Sequence, residues 1–176
     1  MKVSAVIPTR GDVDLSRVVD SLRHYPEITE IIIKIGDTPF NRYRGAVQAA
    51  NELIYTQDDD CVTDITPLLA AYDSAFICNA MTPEHAKSYP GEETLVGFGA
   101  LFDKRRLAVF GGWKRDALFY RECDRVFATL NPHKTVYPKI TILPHAYSAN
   151  RLYRQPEHGP SHVAMRERIS QYKAAR

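Results

Sequence analysis

Three consecutive carboxylates, Asp58, Asp59 and Asp60, are the residues whose type and spacing point most directly to chemistry. They follow residues 53–56, a short apolar run that predicts a buried strand. Adjacent carboxylates repel one another unless a cation or hydrogen-bond donors offset their charge. Their oxygens are the ligands that hard divalent ions such as Mg²⁺ or Mn²⁺ prefer. The motif therefore predicts a metal site at a strand end, and an acidic solvated turn is the alternative.

A second acidic pair, Glu122 and Asp124, lies within a predicted helix over residues 116–130. Side chains two residues apart on a helix point in different directions, so we expect at most one of the two to face a given site. A charged, solvated helix face is the other interpretation.

Three histidines towards the C-terminus, His145, His158 and His162, could each supply a nitrogen ligand to a metal. For any one of them, an ordinary surface histidine is the simpler explanation. The sequence alone leaves both interpretations open.

The elements that must position these residues follow an α/β order. Residues 3–7 predict a buried strand, residues 15–22 a helix with one apolar face, and residues 28–35 a second strand. The continuous isoleucines in that second strand are typical of a central strand covered on both faces. The later pattern predicts, in order, helix 43–51, strand 53–56, helix 66–72, strand 74–78, a surface loop over 80–93, strand 94–102, helix 116–130, strand 136–143 and a basic, helix-like end.

Length and composition indicate one globular domain over residues 1–176. The net charge of +2 and the pI near 8.4 are mildly basic, as expected of an ordinary solvated surface. The three cysteines contain no Cys-x-x-Cys pair, which argues against a zinc ribbon or a disulfide framework. Neither a signal peptide nor a membrane-spanning stretch is evident, so we expect a cytoplasmic protein.

Several segments, taken in order, resemble the GT-A fold glycosyltransferases, most closely those of family 2. The opening residues 3–11 are similar to that family's first strand and nucleotide-binding loop, and residues 30–37 to its second strand. Gly45, Ala49 and Asn51 follow its glycine-x-x-x-alanine-x-asparagine helix. The aspartate run stands where the family carries its Asp-x-Asp signature. Further matches are the acceptor-side strand at residues 96–102 and the glycine-glycine-aromatic segment at Gly111, Gly112 and Trp113.

This resemblance implies a single-domain α/β fold with a mixed, mainly parallel sheet flanked by helices. It divides the chain into a donor and metal half (1–65), an acceptor half (66–145) and a basic C-terminal tail (146–176). It also implies a nucleotide-sugar donor and Mn²⁺ or Mg²⁺ as the cofactor. The donor-binding residues it implies are Pro8, Thr9, Arg10, Asp12, Asp37, Arg44, Asp58 and Asp59. Those on the acceptor side are Gly99, Gly112 and Trp113.

For catalysis, the resemblance implies a metal ion on Asp60, with His145 as a further ligand. The catalytic base is Asp124, with Glu122 as the alternative, because Cys123 splits the family's Glu-Asp pair. Transfer is expected to invert the anomeric configuration. The aspartate run arrives early for the family, as if the donor half lacked a strand.

The acceptor is the least constrained part of this interpretation. Basic residues at 104–106 and 114–115 and in the tail alternate with aromatic ones. This pattern suggests a hydroxylated DNA base as one acceptor. The alternatives are a saccharide, lipid-linked or small-molecule acceptor, then a nucleotidyltransferase, then a non-catalytic nucleotide-sugar or nucleic-acid binding module. The oligomeric state is not indicated.

Overall fold

The fold is known from a computed structural model that describes residues 1–89, 94–149 and 151–175. Its strands are β1 Val3–Thr9, β2 Ile28–Ile35, β3 Leu53–Thr56, β4 Cys61–Thr63, β5 Ile77–Ala80, β6 Ala100–Asp103, β7 His133–Val136 and β8 Ile140–Ile142. Its α-helices are α1 Ser16–Arg23, α2 Asn41–Gln48, α3 Thr66–Ala71, α4 Pro83–Ser88, α5 Ala117–Leu130 and α6 His158–Ala174. Short 3₁₀ turns connect several of them.

Six strands form one mixed sheet in the order β2-β1-β3-β6-β5-β7. β1 is parallel to both β2 and β3, and β7 is parallel to β5. β6 runs antiparallel to its neighbours β3 and β5. β4 and β8 pair separately as a small antiparallel ribbon. The predicted α/β domain with a mixed sheet is therefore confirmed.

β1 is covered on both faces, and every residue in it is buried. The prediction that β2 is central was wrong, because β2 lies at the edge of the sheet and pairs with β1 alone in the described part of the chain. Its Ile33 and Ile35 side chains are exposed. A run of isoleucines shows that a strand is apolar, but not how many strands flank it.

The sheet separates two hydrophobic clusters, and alternate residues of its strands enter opposite ones. Ile54 and Phe102 join the cluster under α2 and α5, whereas Tyr55 and Leu101 join the cluster under α1 and α3. The first cluster is rich in aromatic rings in edge contact. These contacts fix α2 and α5 against the same face of the sheet.

The segment predicted as a basic tail folds back on the domain. Met165 and Ile169 of α6 are buried in the first cluster, and each such burial contributes about 1.5–3 kcal/mol. Trp113 packs on Tyr172 with ring centroids 4.7 Å apart. Arg168 forms a two-pronged ion pair with Asp116, the N-cap of α5, at 3.0 Å. These contacts make α6 a wall of the domain.

Other boundaries differ from the predictions for local reasons. The predicted loop at 80–93 contains α4, whose cap Thr82 accepts a hydrogen bond from the His85 amide; residues 90–93 lie outside the described residues. The predicted strand 136–143 is divided into β7 and β8, and Pro138 between them has no N–H to donate to a ladder. The strand predicted at 74–78 lies at β5, a few residues later. No described helix is long and apolar enough to span a bilayer.

Candidate active site

A cavity of about 720 Å³ lies where the sheet's parallel strands end, between the sheet and the helices α5 and α6. Pro8, Thr9 and Arg10 line it at the end of β1, and residues 36–39 line it after β2. All three aspartates of the run after β3 line it as well. Ligands of open α/β sheets bind at the carboxyl ends of the strands, which is where the sequence places this site.

The three aspartates have different partners. Asp58 Oδ1 lies 2.5 Å from Arg42 Nη2, and the Asp58 amide donates to the Gly97 carbonyl at 2.7 Å. A Cβ on Gly97 would lie 2.1 Å from Asp58 Oδ2, so the carboxylate occupies space that only glycine leaves there. Asp59 is buried, and it accepts from Thr9 Oγ1 at 2.7 Å and from Arg151 Nη1 at 2.9 Å. The carboxylates of Asp58 and Asp59 therefore already accept from donor groups of the protein itself.

Asp60 is the aspartate suited to a cation. Burial and the neighbouring Asp58 charge raise its pKa to about 6, and the opposing charge of Arg151 only partly offsets them. No donor of the described residues hydrogen bonds to its carboxylate. A crowded carboxylate with a raised pKa and no protein donor fits a hard divalent ion, whose charge would favour the ionised form.

Arg42 is the site residue that the sequence interpretation missed, having named Arg44 instead. Arg42 is 2% exposed, and its Nη2 contacts both Asp58 and Asp124, the latter at 3.2 Å. Helical spacing contains the signal, since Arg42 and Ala46 lie four residues apart on one face of α2 and both are buried. Arg44 lies on the exposed face and stacks on the rings of Phe40 and Tyr120.

Asp124 projects from α5 into the same cavity. Its Oδ1 accepts from the Tyr43 hydroxyl at 2.7 Å, and its Oδ2 faces Arg42. Burial raises the pKa of Asp124; the Arg42 charge opposes the increase, and the Asp58 charge adds to it. The result is a carboxylate that is more basic than a solvated one and is held in place by two side chains of α2.

Glu122 lines the cavity too, so the expectation that only one of the pair could face it was wrong. α5 is interrupted at Glu122, whose φ of −111° and ψ of 17° are not helical. The break changes the angular spacing on which the expectation rested. Glu122 is 3% exposed in its side chain and accepts from Ser161 Oγ at 2.5 Å and from His162 Nδ1 at 2.7 Å. Burial by itself would raise the pKa of Glu122, but these hydrogen bonds and the Arg125 charge outweigh burial and lower it.

His145 lies beside the aspartates, with its Nε2 2.9 Å from the Asp59 carbonyl oxygen. A carbonyl only accepts, so Nε2 carries the hydrogen, and a metal on His145 would have to bind Nδ1. Arg151 donates from Nε to the His145 carbonyl at 3.1 Å while its Nη1 holds Asp59. The predicted tail thus supplies a site residue that sequence reasoning had counted only as a basic side chain.

Other predicted residues occupy a range of positions. Asp37 lines the cavity, and Asp12 forms an ion pair with Arg10 at 2.9 Å. Six predicted site residues are not among those that line it: Asp12, Arg44, Gly99, Gly112, Trp113 and His145. Gly99 has φ +131° and approaches the Tyr55 hydroxyl. Trp113 is buried in the core between Phe119 and Tyr172.

The basic segments mostly hold the protein's own elements together. Lys104 Nζ donates to the Ala49 carbonyl at 2.5 Å, and Arg106 Nη2 donates to the Ser74 carbonyl at 2.6 Å. The Arg115 guanidinium lies 4.7 Å from the ring centroid of Phe119, which is itself buried. The exposed aromatic residues at the cavity are Tyr147 and Tyr153, which are 62% and 49% exposed.

Comparison with known proteins establishes the fold. No protein-family profile matches the sequence, and no curated protein is similar to it. The structure is similar to A197 from STIV, with 15% identity and a TM-score of 0.55 over 81% of this chain and 86% of that one. It is also similar to a glycosyltransferase involved in the glycosylation of the major capsid of PBCV-1, with 12% identity and a TM-score of 0.51 over 92% and 91% of the two chains. The predicted GT-A-like glycosyltransferase fold is thereby confirmed.

Proposed function

We propose that this protein transfers a sugar from a nucleotide-diphosphate sugar to an acceptor hydroxyl. One observation carries the proposal: Arg42 joins Asp58, from the aspartate run, to Asp124, at the break in α5, within one cavity. A sugar transfer needs a place for a diphosphate leaving group and a base for the acceptor hydroxyl, side by side. The glycosyltransferase fold supports the same reaction class.

Asp124 is the base in this proposal. A general base should have a pKa raised towards the working pH and should lie within hydrogen-bond reach of its proton. The pKa of Asp124 is raised, whereas that of Glu122 is lowered by the donors that surround it. Glu122 therefore has little tendency to accept a proton, and we assign it a positioning role. Attack assisted by one carboxylate, on the face opposite the leaving group, would invert the anomeric configuration.

In this proposal the nucleotide-sugar donor lies against the side of the cavity where β1, β2 and β3 end. Arg10 and Asp37 line the part of the cavity beyond β1 and β2, where the nucleoside would lie. Asp60, with Nδ1 of His145 as a candidate second ligand, would hold Mn²⁺ or Mg²⁺. When bound, such an ion acts as a Lewis acid that stabilises charge on a diphosphate. Asp59, held by Thr9 and Arg151, fixes the backbone from which Asp60 projects.

The acceptor class is a narrower proposal. An extruded, hydroxylated DNA base could stack on Tyr147 or Tyr153 at the cavity. The buried rings of Trp113 and Phe119 lend this idea no support. Duplex DNA titrated across a salt series tests it, because each phosphate contact lowers log K by about 0.9 per unit of log salt. Absent or salt-independent binding would leave a saccharide, lipid-linked or small-molecule acceptor.

The proposed reaction is tested with a panel of nucleotide-sugars and Mn²⁺ or Mg²⁺, followed by release of nucleoside diphosphate. We expect Asp60→Asn to remove activity and the metal-dependent part of donor binding. Asp124→Asn should lower the rate by about 10²- to 10⁴-fold with donor affinity nearly unchanged, and Glu122→Gln should lower it less. Asp20→Asn, an exposed carboxylate of α1, is the matched control. Full activity of Asp60→Asn, or in excess chelator, would contradict the metal assignment.

A further inference from the structure

A second group of ligating side chains lines the same cavity, but it is built by different elements. Glu122 of α5 and His158 and His162 of α6 place one ligand atom each within 4.8 Å of one another. The two histidines are four residues apart and therefore stand one above the other on one helix face. Their ring centroids are 4.1 Å apart. This spacing on one helix is a known way to present two imidazoles to one ion.

The hydrogen bonds of His162 are compatible with two tautomers. Its Nδ1 lies 2.7 Å from Glu122 Oε2, which only accepts, and 2.7 Å from Arg125 Nη2, which only donates. The tautomer with the hydrogen on Nδ1, donated to Glu122, is the one that can bind a metal through Nε2. In neutral His162 the lone pair is then on Nε2, which lies 2.8 Å from Nε2 of His158. At this distance one ring nitrogen donates a hydrogen to the other, and a metal ion bound between them would replace that hydrogen. Histidines that ligate metals almost always donate their other ring N–H to a carboxylate or carbonyl, and Glu122 is placed to accept it from His162.

Charges of both signs surround the histidine pair. Arg125 Nε lies 3.4 Å from Glu122 Oε2, and Arg121 Nη1 lies 4.0 Å from Glu157 Oε2, so each guanidinium has a carboxylate partner.

We propose that His158 and His162 bind one transition-metal ion of the Zn²⁺ class through their Nε2 atoms, with Glu122 fixing the His162 ring. Two nitrogens at about 2.0–2.1 Å from a tetrahedral ion stand about 3.3 Å apart. The observed 2.8 Å therefore needs to open by about half an ångström, which small ring rotations provide. Imidazole ligands favour Zn²⁺, Co²⁺ and Ni²⁺ over Mg²⁺ and Mn²⁺, so this site differs in selectivity from Asp60.

A bound ion would add a stabilising link within the wall that α5 and α6 form. Glu122 stands at the break in α5, two residues before Asp124, and His162 lies on the neighbouring helix. A metal on the histidine pair would stiffen the contact between α6 and this break. The inference does not depend on the proposed sugar transfer, because binding of the metal is measured without a donor or an acceptor.

The experiment is titration of the full chain with Co²⁺, followed by displacement with Zn²⁺. We expect one equivalent of Co²⁺ to give the visible absorption of nitrogen ligation, Zn²⁺ to remove it, and the midpoint of thermal unfolding to rise with Zn²⁺. His158→Gln and His162→Gln should each weaken binding at least tenfold. Glu122→Gln should weaken it by about 10- to 100-fold, the usual effect of losing an orienting carboxylate.

Two controls separate this site from others. His24→Gln changes an exposed histidine that directly follows α1, and Asp60→Asn removes the proposed ligand of the hard divalent ion. Both variants should keep the Co²⁺ spectrum. Loss of the spectrum in Asp60→Asn, its survival in the histidine variants, or no Co²⁺ binding by the native chain would overturn the proposal. If a histidine variant fails to fold, the Asp60→Asn variant decides, because a nitrogen-ligated Co²⁺ spectrum that survives in it does not come from the proposed hard-ion site.

Discussion

Replacing Arg42 with glutamine tests the central contact of the candidate site. The Arg42 guanidinium lies 2.5 Å from Asp58 Oδ1 and 3.2 Å from Asp124 Oδ2, and its side chain is almost completely buried. Burial and the Asp58 charge raise the pKa of Asp124, and Arg42 is the charged neighbour that opposes them, together with the hydrogen bond from Tyr43. Without Arg42, burial and the Asp58 charge still raise the pKa of Asp124, and Asp58 and Asp124 lose the cation that they share.

The size of the effect follows from these contacts. An opposite charge at this range lowers a carboxyl pKa by about 1–3 units, so its removal should raise the pKa of Asp124 by that amount. Because a base acts only when ionised, the acid limb of the pH–rate profile should move to higher pH by the same 1–3 units or so. Breaking a buried ion pair also costs about 3–5 kcal/mol of stability. We expect the low end, since 40% of the Asp58 side chain is exposed.

Two independent measurements should agree. The first is the pH dependence of kcat/KM for Arg42→Gln. The second is a double-mutant cycle with Asp124→Asn in urea unfolding, which needs no substrate. A shift of about 2 units corresponds to a coupling free energy of about 2.7 kcal/mol. Arg44→Gln, two residues away on the exposed face of α2, should change neither. An unmoved acid limb together with negligible coupling would refute Asp124 as a base controlled by Arg42.

Two further substitutions test the packing around the site. Gly97→Ala should displace Asp58 and reduce donor binding and rate, whereas Gly159→Ala, with open space around its Cα, should be neutral; equal activities of the two variants would contradict this. Asp116→Ala should cost about 1–2 kcal/mol at pH 7 through the lost cap and ion pair. Hydrogen bonds from Arg168 and Phe119 lower the Asp116 pKa to about 2, so its stabilisation is present above pH ~4 and should disappear between about 4 and 2 in acid unfolding.

Much of this site could be predicted from local sequence patterns, because a strand end determines where the next residues lie. The aspartate run follows a β-branched strand, and strands that run parallel end at the same edge of a sheet. Asp116 and the helix after it were predictable from capping and apolar spacing. Arg42 was also within reach, since its spacing of four residues from Ala46 places it on the buried face of α2.

By itself, then, the sequence determined the α/β order, the acidic strand end and the helix that carries Asp124, since each depends on neighbours a few residues away. Only the tertiary structure decided which side chains meet across long separations. It placed β2 at the sheet edge, brought Arg151 back to Asp59 and set His162 against Glu122. It also interrupted α5 at Glu122, so that two carboxylates share one cavity. Such contacts depend on how α6 packs on the core, which no local periodicity encodes.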